Sequence, residues 1–519
     1  MTKVDIQAKE IELIVQRVLN NVLTNENITP EPEIKTYNPA KNNLSVNKPS
    51  ENSTAVISKA ATASDIFVPV AAAKGEYGVF DRMEDAIDAA YEAQKIYVNE
   101  FKLKDRNRLI DKIRETARAN VEKLAMMVRE ETNLGRYEDK IQKHLLVIEK
   151  TPGTECLETS AISGDNGLTI VEHAPFGLIG AITPVTNPTE TIINNAISMI
   201  AGGNAVVFNV HPSAKKCCAF CLQMINRAIE TEGGPANLLT MIKEPTLETV
   251  NILCQSEKIR LLVGTGGMPM VKALLKSGKK VIGAGAGNPP VIVDETADIR
   301  HAASEIYKGA SFDNNLLCLA EKEVFVQESV ATDLVYEMIK EGAYLLSNEQ
   351  LDKIMNLVLT YDEGPGGREY HVSKKWVGQD AGKMLEAIGI PGKSDVRLLI
   401  CEVGYNHPFV MLEQLMPVLP IVKFKNLDEG IGFAMHAEHG NRHTASMFSK
   451  NVDNLTKFAR AIEATIFVKN AATLAGVGFD GEGHTTMTIA GPTGEGITNA
   501  VSFTRQRRCA LAEGNFRII

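Results

Sequence analysis

Pro175-Phe-Gly-Leu-Ile-Gly-Ala-Ile-Thr-Pro-Val-Thr-Asn-Pro-Thr-Glu-Thr-Ile-Ile-Asn-Asn195 reads as a strand, a loop and the start of a helix. Leu178–Ile182 is a short, continuous apolar run, as in a strand buried on both faces. Thr183-Pro-Val-Thr-Asn187-Pro188 breaks it, and Thr189–Ile200 continues with helical periodicity. The unit recurs downstream. Ala205–Phe208, Leu238–Met241, Leu261–Val263, Val281–Ile282 and Val291–Val293 are candidate strands, with helical segments at Ala214–Thr231 and Met268–Ser277 between them. Strands alternating with helices predict a parallel α/β sheet covered on both faces. A second series begins after Cys318, at Val324–Val326, Leu398–Cys401, Val418–Val422, Ala445–Phe448 and Ile466–Val468. The expectation is two parallel-sheet α/β domains in series, with Ser502–Ile519 as an added strand.

Upstream, the folded body is expected to begin near Glu76, where Met83, Ala86, Ile87, Ala90 and Tyr91 recur at helical spacing. Ile11, Ile14, Val15, Val18, Leu19 and Val22 also share one helical face, which predicts an amphipathic helix over about 5–23. Thr24–Ser64 is rich in Asn, Pro, Ser, Thr and Lys and has no period, so it reads as flexible linker up to residue 75. A lone helix of this length needs a surface to lie on. It docks either on its own enzyme or, given the long tether, on a separate partner.

The composition excludes several classes. A formal net charge of −9 gives no reason to expect nucleic acid as a partner. No apolar run reaches the roughly 20 residues of a membrane span, and the first residues do not read as a signal peptide. Eight cysteines without paired spacing suggest reduced thiols rather than a disulfide framework. Cys218-Ala-Phe-Cys221 is formally a C-x-x-C, but no second pair accompanies it, so buried core cysteines are expected and no metal.

Three loops carry candidate chemistry. Thr183-Pro184 through Asn187 follows a strand end, where open α/β sheets place their ligand crevice. The Asn187 amide there is a donor for a developing oxyanion, or equally the start of a helix after an Asn-Pro turn. Gly264-Thr265-Gly266-Gly267 precedes the helix at Met268 and lets backbone N–H groups approach a phosphate, a weak signal that lacks the G-x-G-x-x-G pattern. Ser311-Phe-Asp-Asn-Asn-Leu-Leu-Cys318 places one cysteine after an Asn-rich segment with no acid or histidine base beside it. Taken alone, Cys318 does not outrank the other seven.

Longer stretches add to this. Pro175–Asn195, Lys279-Lys-Val-Ile-Gly-Ala-Gly-Ala-Gly-Asn-Pro-Pro290, Gly309–Cys318, Glu413-Gln-Leu-Met-Pro-Val-Leu-Pro420 and Pro492-Thr-Gly-Glu-Gly496 resemble the CoA-acylating members of the aldehyde dehydrogenase superfamily. The likeness covers about 76–519 and is greatest to the propionaldehyde and acetaldehyde dehydrogenases of bacterial microcompartments. It implies an aldehyde dehydrogenase-like fold: a cofactor-binding domain over 76–288 with an oligomerisation hairpin at about 152–172, a catalytic domain over 289–489, and a C-terminal oligomerisation segment over 490–519. The assembly would be a homodimer or homotetramer. Residues 1–23 resemble an encapsulation peptide, which implies a shell protein as partner and the microcompartment lumen as location.

By the same resemblance, Cys318 is the nucleophile, and Asn187 with the Cys318 backbone N–H forms the oxyanion hole. Thr183, Pro184, His211, Pro212, Thr265, Gly266 and Gly267 line the cofactor crevice, and Glu413 meets the nicotinamide ribose. Two departures from the hydrolytic relatives matter. The place of their general-base Glu falls near Ala284, and their Lys-x-x-Glu contact to the adenine ribose becomes His211-Pro-Ser-Ala214. The first implies transfer of the acyl group to coenzyme A rather than to water, with release of free acid as the alternative. The second leaves NADP open beside NAD, because an acidic residue normally binds the ribose 2′-OH. Propanal is the favoured substrate, with acetaldehyde also expected to react.

Overall fold

Continuous apolar strands dominate the interior, as expected where both faces of a sheet are covered. The computed structural model describes residues 75–364 and 367–513; the docking helix expected at 5–23 and the linker up to residue 74 lie outside the described residues. Four helices, Met83–Glu100, Leu103–Ala119, Val121–Thr132 and Tyr137–Lys150, precede the first long strands. Met83, Ala86, Ile87 and Ala90 do face the core.

The first sheet has six parallel strands, in the order Val79–Phe80, Leu239–Ile242, Ala205–Asn209, Leu178–Ile182, Ile259–Thr265 and Lys280–Ala284. From Leu178–Ile182 the chain builds outward in one direction, then returns to lay Ile259–Thr265 on the other side. Strand order therefore reverses at Leu178–Ile182, and such a switch point opens a crevice beyond the carboxyl ends of the two strands. Thr183–Asn187 and Gly266–Gly267 leave those two ends. The glycine-rich segment after Lys279 is strand as far as Ala284, so its turn begins only at Gly285.

The second sheet has seven parallel strands, in the order Tyr344–Leu345, Leu399–Glu402, Val418–Phe424, Glu323–Gln327, Pro290–Val293, Thr444–Phe448 and Ile466–Lys469. Cys318 lies just before its strand Glu323–Gln327. A separate antiparallel ribbon joins Ser160–Gly164, Gly167–Pro175 and Thr504–Ala512. The C-terminal tail thus does form an added strand, pairing with a hairpin that runs over Ser160–Pro175. The exposed hairpin Leu359–Gly364 with Gly367–Val372 has no counterpart in the sequence reading. Cys217, Cys218 and Cys221 pack in the core from the helix Lys215–Thr231, as small apolar residues do.

Candidate active site

The turn before Cys318 explains its own composition. Asp313, Asn314 and Asn315 have φ values of 47°, 54° and 63°, three consecutive left-handed residues. Asp and Asn tolerate that region because their side chains can satisfy the displaced backbone. Here they do so while buried. Asp313 Oδ1 accepts from the Arg136 N–H at 2.8 Å, and the Asp313 N–H donates to Asp139 Oδ2 at 2.9 Å. Asn314 Nδ2 donates to the Gly378 carbonyl, and Asn315 Nδ2 to the carbonyls of Ala310 and Glu321. Lys322 closes the far side, donating to the carbonyls of Asn315 and Leu317 at 2.9 and 3.0 Å. Gly135 lets this turn pack closely against it, since a Cβ there would lie 2.0 Å from Asp313 Oδ1.

This clamp presents Cys318, half-buried, to a cavity of about 240 Å³. Asn187, Glu413, Thr265, Gly266, Gly267 and Ala284 line the same cavity. A second cavity of about 280 Å³ continues from it, sharing Pro184, His211, Thr265, Gly266 and Gly267 and adding Thr183 and Pro212. All ten residues singled out in the sequence therefore meet in one crevice at the switch point. The sequence reading missed Leu316, Leu415, Met487 and Ile489, which complete the apolar walls of the first cavity. Isolated apolar residues in loops and one short strand, Ile489–Ala490, gave no signal of it.

Asn187 sits at the start of the helix Pro188–Ala201, as an Asn-Pro turn suggests, yet its side chain makes no cap. Its Oδ1 accepts from Lys143 Nζ at 2.7 Å instead, and Nδ2 lies 3.3 Å from Thr186 Oγ1. Lys143 belongs to a buried charge cluster with Lys140, Asp313, Glu190 and His144. Burial opposes the Lys143 charge, but Asp313 and Glu190 outweigh it and hold its pKa above the ordinary value. Burial likewise opposes the Glu190 carboxylate, which Lys143, His144 and Lys140 nevertheless bring down to about 2.

Around the nucleophile, burial pushes the Cys318 thiol up to about 12, and the Glu413 carboxylate adds to the rise. Lys322 and hydrogen bonds from the backbone of Cys318 and Leu319 work the other way. Glu413 is itself raised by burial, against Lys322 and the Gly287 backbone. His443 packs close by: a Cβ on Gly287 would lie 2.8 Å from the Cys318 carbonyl oxygen and 2.9 Å from the imidazole. Burial, then Lys322, lowers its pKa to about 4, so the ring is neutral near pH 7. Among the described residues, Glu413 is the one carboxylate lining the first cavity, and none lines the second.

The crevice suits a dinucleotide. No atom lies within 4 Å of a Cβ built on Gly266, and the nearest to one on Gly267 is Pro269 Cδ at 3.6 Å, so this backbone is open. Gly267 directly precedes the helix Met268–Leu275, whose free N–H groups favour an anion. Thr183 Oγ1 is buried in the second cavity without a hydrogen-bond partner among the described residues. His211 lines both cavities; its Nδ1 accepts from the Ser213 N–H, and burial together with Lys374 lowers the imidazole pKa.

Two parallel α/β sheets, a switch-point crevice and a cysteine beside an oriented amide define a class, and residues 48–357 match the Aldehyde dehydrogenase family. The chain belongs to that family. It is 49% identical over 449 residues to the acetaldehyde dehydrogenase (acetylating) of Bilophila wadsworthia, covering 86% of this chain and 92% of that protein. Among solved structures, a propionaldehyde dehydrogenase from the Clostridium phytofermentans fucose utilisation bacterial microcompartment superposes with a TM-score of 0.81 at 49% identity, covering 85% of this chain and 100% of that one. The Rhodopseudomonas palustris propionaldehyde dehydrogenase with bound CoA and an acylated cysteine gives a TM-score of 0.82 at 47% identity, again over 85% of this chain and 100% of the other.

Proposed function

We propose that this chain is a CoA-acylating aldehyde dehydrogenase, which oxidises a short aldehyde, propanal before acetaldehyde, to the acyl-CoA. One observation carries the reading: Cys318 and Asn187 share a cavity whose wall at Ala284 bears no general base. The relatives just described, one acetylating and one with bound CoA and an acylated cysteine, support it.

The Cys318 sulfur bonds to the aldehyde carbon as the thiol proton passes to solvent and the carbonyl electrons move onto oxygen. Asn187 Nδ2 and the Cys318 backbone N–H donate to that oxygen, where the negative charge develops. When bound, NAD supplies the hydride acceptor that turns this adduct into a thioester. Thr183, Pro184, His211, Pro212, Thr265, Gly266 and Gly267 would hold it, and Glu413 the ribose next to its nicotinamide. No carboxylate is among the described residues lining the second cavity, where His211 lies, which leaves NADP open beside NAD. The sulfur of coenzyme A then bonds to the thioester carbon, the bond to Cys318 breaks, and the CoA thiol proton returns to Cys318. Coenzyme A arrives already nucleophilic, whereas water would need a base that Ala284 does not provide.

On the same reading, residues 5–23 dock on a shell protein and place the enzyme in a microcompartment lumen; the fucose-utilisation relative comes from a bacterial microcompartment. Pairing into a homodimer or homotetramer would use the ribbon of Ser160–Pro175 and Thr504–Ala512, whose outer strand is exposed, Ile162 included. The activity is tested by following NADH from propanal with and without coenzyme A. Turnover should require coenzyme A, yield propanoyl-CoA and vanish in Cys318→Ala. Full turnover to free acid without coenzyme A would overturn the reading.

A further inference from the structure

The inward face of the helix Tyr137–Lys150 begins with charge. Lys140, Lys143 and His144 recur at i, i+3 and i+4 on the face that Val147 and Ile148 continue as apolar core, and all five are buried. A buried ammonium is costly unless fully paired, and an apolar side chain of similar size is often no less stable there. Lys143 is paired on three sides. Its Nζ lies 2.5 Å from Asp313 Oδ2, 3.5 Å from Glu190 Oε1 and 2.7 Å from Asn187 Oδ1. It thus bridges the turn that carries Cys318 to the loop that carries Asn187, which extend from different sheets.

We propose that Lys143 is a positioning residue that orients the Asn187 carboxamide for catalysis. An ammonium has only donors, so the amide must turn its oxygen to Lys143. That directs Nδ2 away, and Asn187 lines the cavity shared with Cys318. Thr186 Oγ1, at 3.3 Å from Nδ2, does not fix the orientation, because a hydroxyl pairs with either end of an amide. Without Lys143 the amide flips freely, and half of its orientations set an oxygen lone pair against a developing oxyanion. Glu190 and Asp313 keep the ammonium charged and aimed. The proposal rests on the reading that Asn187 donates to that oxyanion.

The test is a double-mutant cycle of Asn187→Ala and Lys143→Met on kcat and KM for propanal, with the reactivity of Cys318 toward a small disulfide measured in each variant. Losing one oxyanion donor costs about 10²–10³ in kcat. Asn187→Ala is expected in that range, and Lys143→Met at about 10–10²-fold with KM little changed. Lys143→Met should then cost no more than about 2-fold in the Asn187→Ala background, since there is no amide left to orient. Cys318 reactivity should stay within about 3-fold throughout. Equal losses in both backgrounds, or a changed Cys318 reactivity, would assign Lys143 to support of the Asp313 turn and overturn the inference. If Asn187→Ala itself leaves kcat intact, the oxyanion reading fails first and the inference falls with it. Should Lys143→Met not fold, Lys143→Met with Glu190→Gln removes the unpaired buried carboxylate, and the cycle is run with Glu190→Gln as its reference.

Discussion

The resting state of Cys318 offers a measurement that separates two opposed effects. With its thiol pushed up to about 12 by burial and Glu413, the thiolate fraction at pH 8 is about 10⁻⁴. A free thiol of pKa about 8.5 is about one-quarter thiolate at that pH, roughly 2,000-fold more. A more basic thiolate is the better nucleophile, however. In disulfide exchange the gain is about 0.4–0.5 log unit per pKa unit, or about 40-fold over this gap. Depletion wins. Cys318 should react with a small neutral disulfide about 50-fold more slowly than a cysteine peptide at pH 8, before any steric hindrance. The discriminating quantity is the slope: because the thiol loses its proton only near 12, the rate should rise tenfold per pH unit from 7 to 10 without levelling. Mass-spectrometric mapping of the Cys318 peptide keeps the other seven thiols out of the rate. Lys322→Met, which removes the one lysine that lowers the Cys318 pKa, should slow the reaction further; Glu413→Gln should speed it. A plateau below pH 9 would show a thiolate already favoured at rest and refute the argument.

Replacing Ala284 by glutamate restores a carboxylate to the wall of the first cavity. Propanoate released without coenzyme A should rise by up to about 10²-fold, the low end of general-base catalysis, and unchanged partitioning would count against the account of the missing base. Glu321 is buried, with Oε1 accepting from the Thr473 N–H at 2.7 Å and its pKa pushed up by burial to about 7 from the usual 4.5. A raised carboxyl contributes stability that is present below pH 4.5 and lost as pH climbs through 7, worth about 3 kcal/mol at full loss. Glu321→Gln should therefore melt progressively higher than the wild-type chain between pH 5 and pH 8, and a pH-independent difference would sink that reasoning. Deleting residues 1–23 should leave kcat in solution unchanged and abolish co-purification with shells; loss of folding or assembly would make the segment structural instead.

Strand type was legible because a strand buried on both faces must be apolar throughout, whatever lies beside it; sheet membership was not, since Val291–Val293, read with the first series, pairs inside the second sheet between Glu323–Gln327 and Thr444–Phe448. Leu178–Ile182 and Val418–Val422 needed no neighbours to be found, the second running on to Phe424 in the structure. Cys318, Asn187 and Glu413 were legible only through long family motifs, since single Asn, Cys and Glu residues have ordinary structural uses. Strand order was not legible. The return of Ile259–Thr265 to the far side of Leu178–Ile182 is a tertiary choice, and it is this choice that opens the crevice. Hidden too was the charged stripe Lys140, Lys143 and His144. On a helix of mixed composition such residues read as a solvated face, because the sequence does not say what lies opposite. Opposite them lie Asp313 and Glu190, from segments far along the chain. The sequence alone determined the alternating α/β plan and the chemistry available to it, because both depend on residue types within a few positions of one another. Only the tertiary structure decided which way the Asn187 amide turns, because that depends on one buried ammonium 44 residues away.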